Sequence, residues 1–128
     1  HLGLRLRRLG DDLRDGQDLP LGSLCLRVLA TPGHTTDSCC YHLGDLLCTG
    51  DTLFADWVGR TWSEADARIL HQNLRRVLWP LPDRTVVLPG HDYGDAFPTC
   101  IGRERQANAC FAAATWEAFQ AAKRVNDA

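Results

Sequence analysis

The apolar positions of this chain change period along its length, and the changes mark out its elements. Leu24-Cys25-Leu26-Arg27-Val28-Leu29 is rich in β-formers around one charged residue, which predicts a strand. Before it, Asp15-Gly16 marks a turn, Leu19–Leu21 a short edge-like strand interrupted by Pro20, and Gly22-Ser23 a second turn, so a hairpin is expected. Ser38–His42 and Asp45–Thr49 flank Leu43-Gly44-Asp45, whose glycine suits the positive φ of a tight hairpin turn. The period then becomes helical. Ile69, Leu70, Leu74, Val77 and Leu78 recur at helical spacing, Ser63 with Glu64 and Asp66 forms an N-cap and an acidic first turn, and Pro80 stops the run. Leu81-Pro82-Asp83 turns the chain into a β-branched strand, Thr85–Leu88, and a final helix over Thr115–Val125 packs Trp116, Phe119 and Ala122. The leucine- and arginine-rich opening, Leu4–Arg14, fits neither period.

Composition narrows the function classes. With 128 residues and 45% hydrophobic content the chain has room for one core, hence one domain or part of one. A net charge of −2 and a pI near 6.2 give no field that would draw it to nucleic acid or an anionic membrane. No apolar run approaches the roughly 18 residues that span a bilayer, and the N-terminus lacks signal-peptide order, so a cytoplasmic protein is expected. Six cysteines form no C-x-x-C pair. Cys25 and Cys48 lie in apolar runs and read as small buried hydrophobes, while Cys39 and Cys40 point to opposite strand faces and cannot both ligate one metal.

Three stretches share one grammar: Ala30-Thr31-Pro32-Gly33-His34, Thr49-Gly50-Asp51-Thr52 and Leu88-Pro89-Gly90-His91. In each a β-rich run ends, a glycine turns the chain, and a metal-competent side chain comes next. Ligands gather outside the carboxyl ends of strands in open α/β sheets, so His34, Asp51 and His91 are expected at one place. They supply imidazole nitrogens and a carboxylate able to bridge two metal ions. His42 and His71 match no such pattern and are expected to be structural or solvent-facing.

Thr31-Pro32-Gly33-His34-Thr35, Thr49-Gly50-Asp51-Thr52-Leu53-Phe54, Gly59-Arg60-Thr61 and Pro89-Gly90-His91-Asp92-Tyr93 resemble, in order and spacing, the later motifs of the metallo-β-lactamase superfamily. Within it they are most similar to the branch containing glyoxalase II and the persulfide dioxygenases, and Thr99–Asn108 is similar to the segment after the last histidine in that branch. The resemblance implies an α/β fold, an αββα sandwich of two mixed β-sheets flanked by helices. It implies that His34 ligates the first metal, that the catalytic Asp51 bridges two, and that His91 ligates the second. Arg60 and Tyr93 are implied to contact a glutathione moiety, a guanidinium being suited to grip a carboxylate. Asp92 would orient a neighbouring ligand.

The implied activity is hydrolysis of a glutathione thioester by a metal-bound hydroxide, with one or two zinc ions. Two alternatives stand beside it: an iron-dependent persulfide dioxygenase, and a fragment inactive by itself. The superfamily's His-x-His-x-Asp-His motif is absent, His1 being the only histidine before His34, so residues 1–128 are expected to be the carboxyl-terminal portion of a longer domain. A half-fold leaves a strand edge and an apolar face uncovered, from which aggregation or a homodimer is expected. Trp62 and Ser63 after Gly59-Arg60-Thr61 fit neither subfamily cleanly, since glyoxalase II carries aromatics there and persulfide dioxygenases an acidic residue.

Overall fold

The computed structural model describes residues 13–93 and 96–127. Most of the leucine-rich opening lies outside them. Six strands form one mixed sheet in sequence order: β1 (Asp18–Leu21), β2 (Leu24–Ala30), β3 (Cys39–Leu43), β4 (Leu46–Gly50), β5 (Val86–Pro89) and β6 (Thr99–Cys100). Pro20 sits on β1, an edge strand, where a missing N–H costs no ladder bond. The β1–β2, β2–β3 and β3–β4 pairs are antiparallel, and β4 runs parallel to β5 after a helical crossover. Consequently β2, β4 and β5 point the same way, and the segments after them emerge at one end of the sheet.

The crossover helix α1 (Glu64–Asn73) starts as its sequence requires, with Ser63 Oγ accepting the Asp66 N–H. Its last turns, Leu74–Leu78, widen into a π-helix that the apolar spacing does not reveal. Two short helices absent from the sequence expectation, α2 (Ile101–Ala107) and α3 (Ala109–Ala112), precede α4 (Trp116–Asn126), which Thr115 caps through the Ala118 N–H. The core joins Leu47 and Val87 of the sheet to Leu70, Leu74, Leu78, Phe111 and Phe119 of the helices, all fully buried. The helices therefore cover one face of the sheet.

The other face is covered only in part among the described residues, Val28, paired with Tyr41, being buried there. Register puts Tyr41, Cys48 and Leu88 side by side there, and Leu24, Leu46 and Cys48 are exposed. The described residues form one of the two expected sheets. The expectation that Cys25 and Cys48 are buried is corrected: both are exposed, Cys48 because alternation turns it away from the helix-covered face, and Cys25 because, although it shares the face of Leu29, it lies beside the turn of the edge hairpin, paired with Pro20, whereas Cys40 and Cys110 are buried. Burial pushes the Cys40 thiol up to about 12 and that of Cys110 up to about 11. No helix among the described residues is long and apolar enough to cross a membrane.

Candidate metal centre

His34 follows β2, Asp51 follows β4 and His91 follows β5, and the shared direction of these strands brings all three to one cleft of about 420 Å³. Asp51 stands between the two rings. Its Oδ2 lies 3.5 Å from His34 Nε2, and its Oδ1 lies 3.3 Å from His91 Nε2.

Glycine makes this approach possible. Gly33, at φ 146°, lies so close to α1 that a Cβ would stand 2.5 Å from Leu70 Cβ. At Gly59 a Cβ would lie 1.9 Å from the Asp51 carbonyl oxygen, and at Gly90 2.8 Å from Asp51 Oδ1. Hydrogen bonds then fix the loops to one another. Buried Thr31 and Thr52 hydroxyls lie 3.2 Å apart, joining the loop that carries His34 to the one that carries Asp51. The Gly90 N–H donates to the Gly50 carbonyl at 2.8 Å, joining the Asp51 and His91 loops. Asn73 Nδ2 donates to the Pro32 carbonyl at 2.9 Å, fastening the His34 loop to the end of α1.

The donor set fits a cation. His34 Nδ1 lies 2.7 Å from the Arg60 carbonyl oxygen, which can only accept, so Nδ1 carries the proton in that contact. A neutral His34 then turns a bare Nε2 lone pair toward the Asp51 carboxylate. Two acceptors facing each other require a positive charge nearby, either a metal ion or a second proton on the ring. Imidazole nitrogens and a carboxylate suit zinc and iron alike. Among the described residues no three His, Cys, Asp or Glu side chains close on one point. Each oxygen of Asp51 instead begins a separate half-site with one imidazole, and each half-site lacks further protein donors among the described residues.

Arg60 and Tyr93 both line the cleft. The Arg60 guanidinium lies 5.6 Å from the ring centre of exposed Trp62, and Tyr93 stacks on His91 with ring centres 4.9 Å apart and planes 10° apart. Phe54 meets Tyr93 edge-on at 5.1 Å. His42 takes no part in the cleft. His71 is buried, its Nε2 2.8 Å from the Ala113 carbonyl oxygen and its ring stacked on Phe119 at 4.6 Å.

Residues that the sequence did not single out hold the wall of the cleft. Fully buried Glu104 accepts from the Asp56 N–H at 2.8 Å and from Asn108 Nδ2 at 2.9 Å, and the same Asn108 amide donates to the Trp57 carbonyl at 3.0 Å. These bonds pin the Phe54–Val58 turn, in which Asp56 takes a left-handed φ of 68°. Arg103, whose pKa is raised first by its hydrogen bond to Asp56, closes the network. From α4, Lys123 and Asn126 reach Val58 and Gly59. Polar residues at core positions of a helix were the available signal for Glu104 and Asn108.

No protein-family model matches the chain. It is 40% identical over 84 residues to a probable hydroxyacylglutathione hydrolase of Schizosaccharomyces pombe, covering 62% of this chain and 32% of that protein. To a probable polyketide biosynthesis zinc-dependent hydrolase of Bacillus velezensis it is 36% identical, covering 65% and 37%. The solved structure of ETHE1 from Myxococcus xanthus superposes with a TM-score of 0.80 at 42% identity, covering 90% of this chain and 52% of that one. A metallo-β-lactamase structure from Staphylococcus aureus superposes with a TM-score of 0.78 at 25% identity, covering 91% and 44%. The chain thus spans between about a third and a half of the length of these proteins.

Proposed function

This chain belongs to the metallo-β-lactamase superfamily, and from that premise we propose that the intact protein is a metal-dependent hydrolase acting on a glutathione thioester, as glyoxalase II does. The observation that carries the proposal is Asp51 between two imidazoles, one carboxylate oxygen facing each ring. His34 and Asp51 Oδ2 would hold one ion, His91 and Asp51 Oδ1 a second. When bound, such ions lower the pKa of a water toward neutrality and stabilise charge developing on a carbonyl oxygen.

The chain's own residues have separate tasks. Asp51 keeps both half-sites in one frame and, as a carboxylate, offsets their positive charge. The Arg60 guanidinium, at the cleft mouth, pairs with a substrate carboxylate, and the exposed Tyr93 ring bounds the cleft beside His91. In the overall reaction water adds to the thioester carbonyl, the C–S bond breaks, and an acid and a free thiol leave.

Zinc is the metal proposed, as named for the similar Bacillus hydrolase. Oxidation of a glutathione persulfide with iron is the alternative, and Gly59-Arg60-Thr61 favours it. Elemental analysis of the purified chain separates these. About one or more equivalents of zinc, lost in Asp51→Ala, with thiol release from an acyl-glutathione by the full-length protein, is the expected result. Iron with oxygen consumption on a persulfide would select the dioxygenase. No bound metal in either protein would leave this stretch inactive by itself.

A further inference from the structure

We infer that Lys123 and Asn126, at the end of α4, are positioning residues that set the orientation of His34; the inference rests on the proposed use of His34 as a metal ligand. Three links connect them. Lys123 is buried, and its Nζ donates to the Gly59 carbonyl at 2.9 Å. Asn126 grips the preceding residue at both ends of its backbone, its Oδ1 accepting the Val58 N–H at 3.0 Å and its Nδ2 donating to the Val58 carbonyl at 3.2 Å. The next residue, Arg60, presents the carbonyl that accepts the His34 Nδ1 proton at 2.7 Å.

The segment from Val58 to Arg60 is suspended. On its inner side Gly59 donates to the Thr52 carbonyl at 3.1 Å and abuts the Asp51 backbone. On its outer side α4 supplies the partners for its carbonyls. A buried ammonium is costly unless paired, and Lys123 meets that cost with Gly59 and with the Asp127 carboxylate beside it. Losing the ammonium would leave the Gly59 carbonyl buried without its donor. The peptide would then turn to recover a partner, moving the Arg60 oxygen and freeing the His34 ring to exchange its proton between nitrogens. The role is distinct from holding α4 down: Phe119, fully buried, already anchors that helix in the core.

The test reads the ring directly, without metal or substrate. The full chain, with ¹⁵N-labelled histidine, is compared by NMR with Lys123→Met, Lys123→Arg and Asn126→Asp at about pH 8.5, where imidazole is ordinarily neutral. In the unaltered chain His34 should populate the Nδ1–H form. Lys123→Met should shift that tautomer ratio by about threefold or more, the change expected for loss of one hydrogen bond's constraint, and Lys123→Arg should restore it. Asn126→Asp keeps the acceptor for the Val58 N–H but replaces the donor to the Val58 carbonyl and to Asp127 with a charged oxygen, so it should shift the ratio the same way and decides the matter if Lys123→Met does not fold. An unchanged tautomer ratio in a folded variant overturns the inference, even if its melting temperature drops. Absence of bound metal in every chain would count against the proposed function and leave this result standing.

Discussion

The two histidines that face Asp51 are held by different physics. His34 has a fifth of its side chain exposed, a hydrogen bond that fixes its tautomer, a loop fastened to α1, and an acceptor on the Val58–Arg60 segment that α4 braces. His91 is half exposed and held mainly by its stack on Tyr93, itself on the surface. A hydrogen bond from Nδ1 specifies where Nε2 points, whereas stacking fixes a plane and lets the ring slide. The His34 side is therefore preorganised and the His91 side adjustable, and an ion should enter the former first.

Removing Asp51 should abolish the distinction altogether. Asp51→Ala is expected to lower affinity for zinc or iron by about 100-fold or more, since it takes a donor from both half-sites at once; equilibrium dialysis with elemental analysis measures this. Undiminished binding would mean that the carboxylate is no ligand. Next in size are the glycines. Gly59→Ala drives a Cβ into the Asp51 backbone, and denaturant unfolding should show a loss of about 3 kcal/mol. Gly90→Ala first meets a carboxylate oxygen that can rotate, so its cost should be smaller, about 1 kcal/mol. Equal costs would erase the claimed difference in rigidity.

Tyr93→Ala probes only the adjustable side. A stacked pair contributes about 1 kcal/mol, so a second equivalent of metal should bind about fivefold more weakly with the first unaffected, as titration calorimetry would resolve. An effect that shows only at high pH concerns the base of the His34 loop, where Cys40 Sγ lies 3.4 Å from Thr31 Oγ1. Burial raises this thiol from 9.0 to about 12, so above pH 9 the unfolded chain releases a proton that the folded one keeps. Stability should accordingly be intact below pH 9 and fall as pH rises toward 12. Cys40→Ala should flatten that slope in unfolding curves taken across the range.

The elements that could be foreseen are those whose determinants are local. Ser63 and Thr115 cap the helices they precede, the turn at Gly44 joins β3 to β4, and glycines at strand ends place His34, Asp51 and His91 at a common edge. The features that escaped are non-local or polar. The helix α2 hides because Glu104, a charged residue, occupies a core position satisfied in part by Asp56, 48 residues away. The π-helical turns carry the same apolar spacing as an α-helix. Cys25 and Cys48 misled because an apolar run says neither which face of a strand the core will cover, which decides Cys48, nor how far along the strand it reaches, which decides Cys25. Arg60 stood out for its guanidinium, yet the contact to His34 comes from its backbone oxygen, which every residue has.

The reach from α4 back to Gly59 spans 64 residues, and that from Asn126 to Val58 spans 68. Synthesis proceeds from the N-terminus, so His34, Asp51 and His91 leave the ribosome before the side chains that brace the cleft wall. A nascent chain should thus display its proposed metal donors while their geometry is still loose. Selectivity for one ion over its competitors should be weakest at that moment, and it should sharpen only when the last helix docks.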